Sequence, residues 1–560
     1  MTPNTHPITN ADCPQNRQTN RCNKRTKISI KIAALNIKGH GNMNIQHVNN
    51  KWAEIRLTML QRRIGILVAG EAHMNAERRQ EIERIYGKDL KIFYTKLPDT
   101  PNAAGVAIIL NKNITNIEGV QIHEIVAGHA LLMETYWHEK EKVSILAIYA
   151  PNTDTAANAT FWDKIREFFV THPRIKKPDF MLGDTNFVEE PLDCLPARND
   201  PTAITDAFDE LKHSLQLKDG WRNTYPLTLK YTYMQKRANL ITRHSRLDRI
   251  YTTPSNMSQT FEWKIEQAGI NTDHDMVSVR FTCETAPMTG KGRWIVPIHL
   301  LYDKAIQEFI TVEGKKLEER MNQADIDEQW NPISNHQTLW SEFKQRFICL
   351  ARERAKIVIP RLTKEIATLE ARVDTISNDP LLNDVERSLS TTILKEAIAA
   401  LEEQRMKSTR STAKGNFAIQ GETISRYWSK LNKEKKKRDL ILRLQIPEPM
   451  YRPNPIGQTE PETQYEKNTQ QMANMMRDYH EEVQLAKDQP DPGVREQTIE
   501  KVLNTVTVKI SETHQQNLSC GLTLANVQDA LKLSANQKAP GLDGICYEIW
   551  KIIHARYKNA

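Results

Sequence analysis

Between residues 27 and 283 short apolar runs recur against a polar background: "ISIKIAALNI", "IGILVAGEAHM", "AGVAIILNK", "VSILAIYAPN", "DFMLGDTNF", "RLDRIYTT" and "DMVSVRF". Each is strand-length, rich in Val, Ile or Tyr, and bounded by turn residues. Between some of them the spacing turns helical, as in "ANATFWDKIREFFVTH". Strands mixed with helices predict an α/β domain over 27–283. Past "GRWIVP" the pattern changes. Leu362, Ile366, Leu369, Val373 and Ile376 form the stripe of an amphipathic helix. "SNDPLLND" interrupts it, and Leu394, Ile398 and Leu401 restart it, so a helical hairpin is expected within a helical region spanning 284–445. Residues 446–500, with several Pro and many Gln, Glu and Asp, read as a linker and a polar helix, and 501–560 as a last segment. Residues 1–26 are too polar to bury a core, and a disordered basic tail is expected.

Length and charge narrow the class. At 560 residues, two to four domains are expected. The net charge of +8 is compatible with a polyanionic partner, though modest over this length. The run "KLNKEKKKRDLILRL" (430–444) is either a solvated helix face or a nucleic-acid contact. The seven cysteines form no CxxC pair, which disfavours a zinc module and fits a reducing, intracellular setting. No apolar run reaches the roughly 18 residues of a membrane span. No signal-peptide core opens the chain. A soluble intracellular protein without a membrane partner is expected.

Many of the α/β strands end in polar residues. Asn36 follows "AAL", Glu71 and His73 follow "GILVAG", Tyr149 and Asn152 close "AIYAPN", and Asp184 and Asn186 close "MLGDTN". Ser245, Arg246 and Asp248 come from "SRLDRIY", and Asp273 and His274 from "TDHDMV". Strand ends hold functional groups on a rigid frame. These residue types suit phosphodiester cleavage. Mg²⁺ takes one or two carboxylates and keeps several waters, which Glu71 and Asp273 could supply. His274 oriented by Asp248, or else Asp184, could act as general base. Asn36, Asn186 and Tyr149 are neutral donors for phosphate oxygens. Arg246 could pair with a phosphate or brace a carboxylate. Singly, each motif has a plainer explanation: a Gly-Asp at a strand end is more often a turn, and an Asp in "RLDRIY" a salt-bridge partner. The six together are harder to explain as turns.

In this order the motifs resemble the endonuclease/exonuclease/phosphatase superfamily, the DNase I-like fold, over residues 27–283. The resemblance implies a four-layer α/β sandwich of two packed, mostly antiparallel sheets flanked by helices. It implies that Asn36 and Glu71 hold a Mg²⁺ (or Mn²⁺) ion, with Asp273 as a further carboxylate. Tyr149 matches the phosphate-facing tyrosine, with Asn152 and Arg246 as further phosphate or DNA contacts. Asp184 and Asn186 match the pair that positions the nucleophile, and Asp248–His274 the last motifs. Gly183-Asp184-Thr185-Asn186 departs from the usual Gly-Asp-Phe-Asn, and Thr272-Asp273-His274 from Ser-Asp-His. Both changes leave the chemically essential positions intact.

A second resemblance lies near the other end. "LTLANVQDALKLSANQKAPGLDGICYEIWK" (522–551) is similar to the segment opening the reverse transcriptase of LINE-type, non-LTR retrotransposons. No Tyr-x-Asp-Asp box follows, so 501–560 is expected to be the truncated start of that domain, without polymerase activity of its own. The resemblance implies a metal-dependent endonuclease that nicks target DNA for retrotransposition, acting in the nucleus. DNA is the expected partner, with the element's RNA as a further one and no small-molecule cofactor. Two alternatives stay open: a phosphatase or phosphodiesterase of the same fold acting on small phosphoesters, and a catalytically idle, nucleic-acid-binding remnant.

Overall fold

In the computed structural model all seven apolar runs contain strands, and among the described residues fifteen strands lie between Ile30 and Phe281. The structure describes most of residues 28–556. Besides shorter loop segments it leaves out 421–440, 448–463 and 485–490, so the N-terminal tail and nearly all of the basic run lie outside the described residues.

The first sheet comprises β1 (Ile30–Asn36), β2 (Ile66–Gly70), β3 (Leu90–Thr95), β4 (Val106–Asn111), β14 (Thr260–Glu266) and β15 (Met276–Phe281), in the order β14-β15-β1-β2-β4-β3. The second comprises β5 (Gln121–Val126), β6 (Ala130–His138), β7 (Glu141–Tyr149), β8 (Phe180–Asp184), β10 (Lys218–Asp219) and β13 (Asp248–Thr252), in the order β10-β13-β8-β7-β6-β5. A small third sheet pairs β11 (Tyr233–Arg237) with β12 (Leu240–Ser245) and β12 with β9 (Cys194–Leu195). Among the described residues, only β1–β2 and β7–β8 pair in parallel. Parallel neighbours need a crossover, which helices α1 (Lys51–Gln61) and α3 (Thr155–Thr171) provide. Two more helices, α2 (Ala76–Tyr86) and α4 (Thr202–Leu215), complete the outer layers.

Three cores separate four layers. Ile32, Ala34, Val68 and Ile108 of the first sheet meet Ile145, Ala147, Phe180 and Leu182 of the second. On the first sheet's outer face Trp52, Ile55, Met59 and Ile82 cover Leu67 and Ile109. On the second sheet's outer face Phe161, Trp162, Ile165 and Phe208 cover Leu146 and Met181. This is a four-layer α/β sandwich of two packed sheets flanked by helices, the architecture expected above. Local chemistry starts α3 where it must begin: Asp154 caps it, its carboxylate accepting from the Ala157 N–H at 2.6 Å. Such a cap is worth about 1 kcal/mol.

Beyond the sandwich come α5 (Lys304–Ile326), α6 (His336–Ile357), α7 (Arg361–Ser377) and α8 (Asp384–Gln420). The stripes of α7 and α8 meet at Ile366, Val373 and Ile398, with "SNDPLLND" between them, as the spacing predicts. The chain divides into two compact units, each built from two stretches: Met1–Thr289 with Glu365–Lys467, and Gly290–Lys364 with Asn468–Ala560. In the second unit the stretch 294–297 and the stretch 543–545 join. The Val296 N–H donates to the Gly544 carbonyl at 3.0 Å, and Leu300, Ile306 and Phe347 pack with Ile545 and Ile549. Gly544 has φ +74°, and a Cβ there would lie 2.3 Å from the Trp294 carbonyl oxygen. Among the described residues no helix is long and apolar enough to cross a membrane.

Candidate active site

Strand parity builds the site. Alternate residues of a strand share a face. Ile145, Ala147 and Tyr149 therefore point between the sheets, as do Phe180 and Leu182 with Asp184, Ile250 with Asp248, and Ile32 and Ala34 with Asn36. The apolar members fill the inter-sheet core, and the last residue of each series emerges at its mouth. Register then sets them side by side: Tyr149 is level with Asp184, Asp184 with Asp248, and Asn36 with Gly70, the residue before Glu71. Because β13 and β15 run antiparallel to β8 and β1, the start of β13 and the loop before β15 reach the same mouth.

The small residue in "MLGDTN" has a steric cause. Gly183 sits at φ +145° opposite Ile148, and a Cβ there would stand 1.9 Å from the Ile148 carbonyl oxygen. Gly183→Ala should destabilise the fold by about 3 kcal/mol, the upper end of overpacking costs. Gly314→Ala, in α5 with open space around it, is the matched control. Thermal melting checks this; a Gly183→Ala chain melting with the control would sink the steric account.

One hydrogen-bonded net joins most of the expected residues. Asn36 Nδ2 donates to Glu71 Oε1 at 3.1 Å and to Asp184 Oδ2 at 3.0 Å. The Tyr149 hydroxyl donates to the same Glu71 oxygen at 2.9 Å, and Asn152 Nδ2 reaches that hydroxyl at 3.3 Å. The Asn186 N–H donates to Asp184 Oδ1 at 2.9 Å while its side chain is anchored on the Ala150 carbonyl at 2.7 Å. His274 Nδ1 is 2.7 Å from Asp248 Oδ2, and its Nε2 faces Asp184 Oδ2 at 4.0 Å. Thr272 keeps a hydroxyl where serine is usual and uses it, donating to the Asn36 carbonyl at 2.7 Å.

Backbone strain gathers here. Lys38, Glu71, His73 and Asn186 all take positive φ, between 45° and 53°. For residues with a Cβ that conformation costs roughly 1–2 kcal/mol, held only where surroundings over-determine it.

Burial sets the electrostatics. For His274 desolvation alone would lower the pKa, but the charges of Asp248 and Asp184 and the Asp248 hydrogen bond outweigh it and carry the ring to about 10. Burial and the neighbouring Asp248 push Asp184 upward. Burial, then the Glu71 carboxylate, raises the Tyr149 phenol, so it stays a neutral donor.

Arg246 takes the second of its two expected roles. It is 1% exposed, with Nε and Nη2 on the two Asp193 oxygens at 2.7 Å and Nη1 on Asp219 at 2.6 Å. All three guanidinium nitrogens thus meet carboxylates. Arg249 joins the same anion and bonds the Thr185 hydroxyl at 2.6 Å, so Thr185 packs behind Asp184. Sequence reasoning missed Asp193 and Arg249; only Arg249, beside Asp248 in "RLDRIY", carried a local signal. It also missed Lys38, whose ammonium lies 2.7 Å from Asp273 Oδ2, and Tyr233, whose ring centroid is 4.8 Å from that of His274. Asp273 is tied to Lys38.

Two donor sets are present. Asp184, Asp248 and His274 offer ligand atoms within 4.8 Å of one another and could hold a metal ion. All three are buried, and His274 Nδ1 is engaged by Asp248. Glu71 is partly exposed and offers oxygen only, with Asn36 and, through it, Asp184 in the same net, which suits a hard, hydrated cation.

No family model matches the chain. Among curated proteins it is 23% identical over 414 residues to the Transposon TX1 uncharacterized 149 kDa protein of Xenopus laevis, covering 73% of this chain and 29% of that one. The chain thus spans less than a third of that relative's length. Among solved structures it is similar to an AP endonuclease from Leishmania major (13% identity, TM-score 0.40, 48% of this chain and 93% of that one). It is also similar to the endonuclease domain of TRAS1, a telomere-specific non-LTR retrotransposon (11%, 0.34, 46% and 99%). A third is a 3'-5' exonuclease from Neisseria meningitidis (16%, 0.37, 45% and 100%).

Proposed function

We propose that this chain is a divalent-metal-dependent endonuclease that hydrolyses DNA phosphodiester bonds and nicks target DNA for retrotransposition. One observation carries the reading: the Asp248–His274 pair, Asp184 and the Asn36–Glu71–Tyr149 net share one mouth between two sheets. The transposon name of the curated relative supports the retrotransposition part.

The pKa directions support one division of the proton chemistry. The charges of Asp248 and Asp184 raise the His274 pKa, which favours the imidazolium at neutral pH. Asp184 therefore takes the proton of the water that attacks phosphorus as the bond from phosphorus to the leaving sugar oxygen breaks, its raised pKa making it a better base than an ordinary carboxylate. His274 donates from Nε2 to a phosphate oxygen as charge develops there, while Asp248 holds Nδ1 and fixes the ring. Tyr149 and Asn152 offer neutral donors to the phosphate, and Asn186 orients Asp184. Glu71, Asn36 and Asp273 would hold Mg²⁺ (or Mn²⁺), which supplies Lewis-acid polarisation of the phosphate. Lys38 on Asp273 neutralises part of the acidic cluster until then.

Metal removal is the direct test. Nicking of supercoiled plasmid by the full chain in Mg²⁺ should stop on adding EDTA and return with excess Mg²⁺. Nicking that persists in EDTA would remove the metal from the mechanism. Release of phosphate from small phosphoesters without nicking would move the substrate class.

A further inference from the structure

One lysine reaches the back of the site from outside the sandwich. Lys395 lies in α8, is 8% exposed, and donates to Asp275 Oδ2 at 2.8 Å and to the Tyr231 carbonyl at 3.2 Å. Asp275 directly follows His274, and its N–H donates to the Thr232 carbonyl at 2.7 Å. The Thr232 hydroxyl in turn accepts from the N–H groups of Leu247 and Asp248, both at 3.0 Å. The residue after His274, the start of β13 that bears Asp248, and the segment entering β11 thus converge on one point. Lys395 ties Asp275 to the segment entering β11.

The contact is one of a series along the helical hairpin. Gln267 Nε2 donates to the Lys395 carbonyl at 3.1 Å. His244 Nε2, on β12, lies 3.0 Å from the Ser388 hydroxyl. The Leu229 N–H donates to Asn378 Oδ1 at 2.9 Å, and Arg62 reaches Glu402 at 3.6 Å. These stretches of hairpin and the sandwich belong to one compact unit. A buried ammonium facing a buried carboxylate is costly to desolvate, and packed apolar residues would stabilise the junction as well. Such a pair is explained by what it holds in place.

We infer that α8 is a working part of the catalytic domain, with Lys395 a positioning residue that holds Asp275, and through it the His274 backbone, in line with Asp248. The inference rests on the nuclease reading above.

The test uses the full chain, comparing wild type, Lys395→Met and the double variant Lys395→Met with Asp275→Asn. The kcat and KM for plasmid nicking are measured, with DNA affinity in EDTA and circular dichroism for folding. Supporting groups behind a site typically cost 10–100-fold when lost. Lys395→Met is expected to lower kcat about 30-fold, with KM and metal-free DNA affinity within about twofold. If the single variant does not fold, the double variant decides, since it leaves no stranded charge; the same kcat loss is expected. A folded variant with wild-type kcat overturns the inference. So does a rise in KM at unchanged kcat, which would make Lys395 a DNA contact. If the wild type itself does not nick, the nuclease reading falls and takes this inference with it; if it nicks and the variants match it, this inference falls alone.

Discussion

Asp184→Asn and His274→Ala should each lower the rate of plasmid nicking by about 10³-fold, within the range for loss of a general base or of a charged transition-state donor. DNA binding should change little, because both side chains are buried and Asp184 has its oxygens turned to Asn36 and Asn186. The asparagine keeps one acceptor for that net but cannot take a proton from water. Removing His274 takes away an imidazolium and leaves Asp248 buried without its 2.7 Å partner, so folding must be followed alongside rate. The two groups act on one event, so the double variant should be scarcely slower than the worse single variant. Two well-folded variants nicking within threefold of wild type would remove both residues from the chemistry.

Asp193→Ala should destabilise the first unit by about 3–5 kcal/mol, the usual cost of deleting one member of a buried ion cluster. Asp193 is fully buried and accepts from Arg246, Arg249 and Arg222. Arg246 would keep Asp219, but Arg249 would lose a carboxylate while itself buried and touching Thr185. Burial works against the Asp193 carboxylate, yet Arg246 and Arg249 beside it win and hold its pKa well below the ordinary range. A depressed folded pKa fixes the pH sense: the stabilisation is whole above the unfolded value of about 4 and is lost as pH falls through the folded one. Urea unfolding at pH 7 and pH 3 reads both effects. The gap between wild type and Asp193→Ala should stay wide at pH 7 and at most narrow at pH 3. A gap under about 1 kcal/mol at pH 7 would show that the cluster contributes little.

How much was legible in the sequence depended on how local each signal was. The seven runs that became strands are mostly central ones, buried on both faces and therefore continuously apolar. Some of the strands passed over, such as "QIHEIV" at 121–126, lie at sheet edges, where polar residues interrupt the pattern. The site followed the same rule. Asn36, Tyr149 and Asp184 close apolar series of constant parity, so their arrival at one mouth is implicit in the alternation. Asp248 and His274 are 26 positions apart; residue chemistry offers them as a pair, and only the fold brings them to 2.7 Å. Arg246 was ambiguous because its partners Asp193 and Asp219 stand 53 and 27 positions away with no local cue.

The sequence by itself thus determined the α/β class, the helical hairpin and the residues that end each strand. Period-2 and period-3.6 patterning and steric demands such as that at Gly183 act over a few residues. Only the tertiary structure decided which of those polar ends meet, which arginine braces rather than binds, and that Lys395 lies behind His274. Those outcomes depend on strand register, on crossovers, and on charges that become strong once water is excluded. None of these is a property of any short stretch of chain.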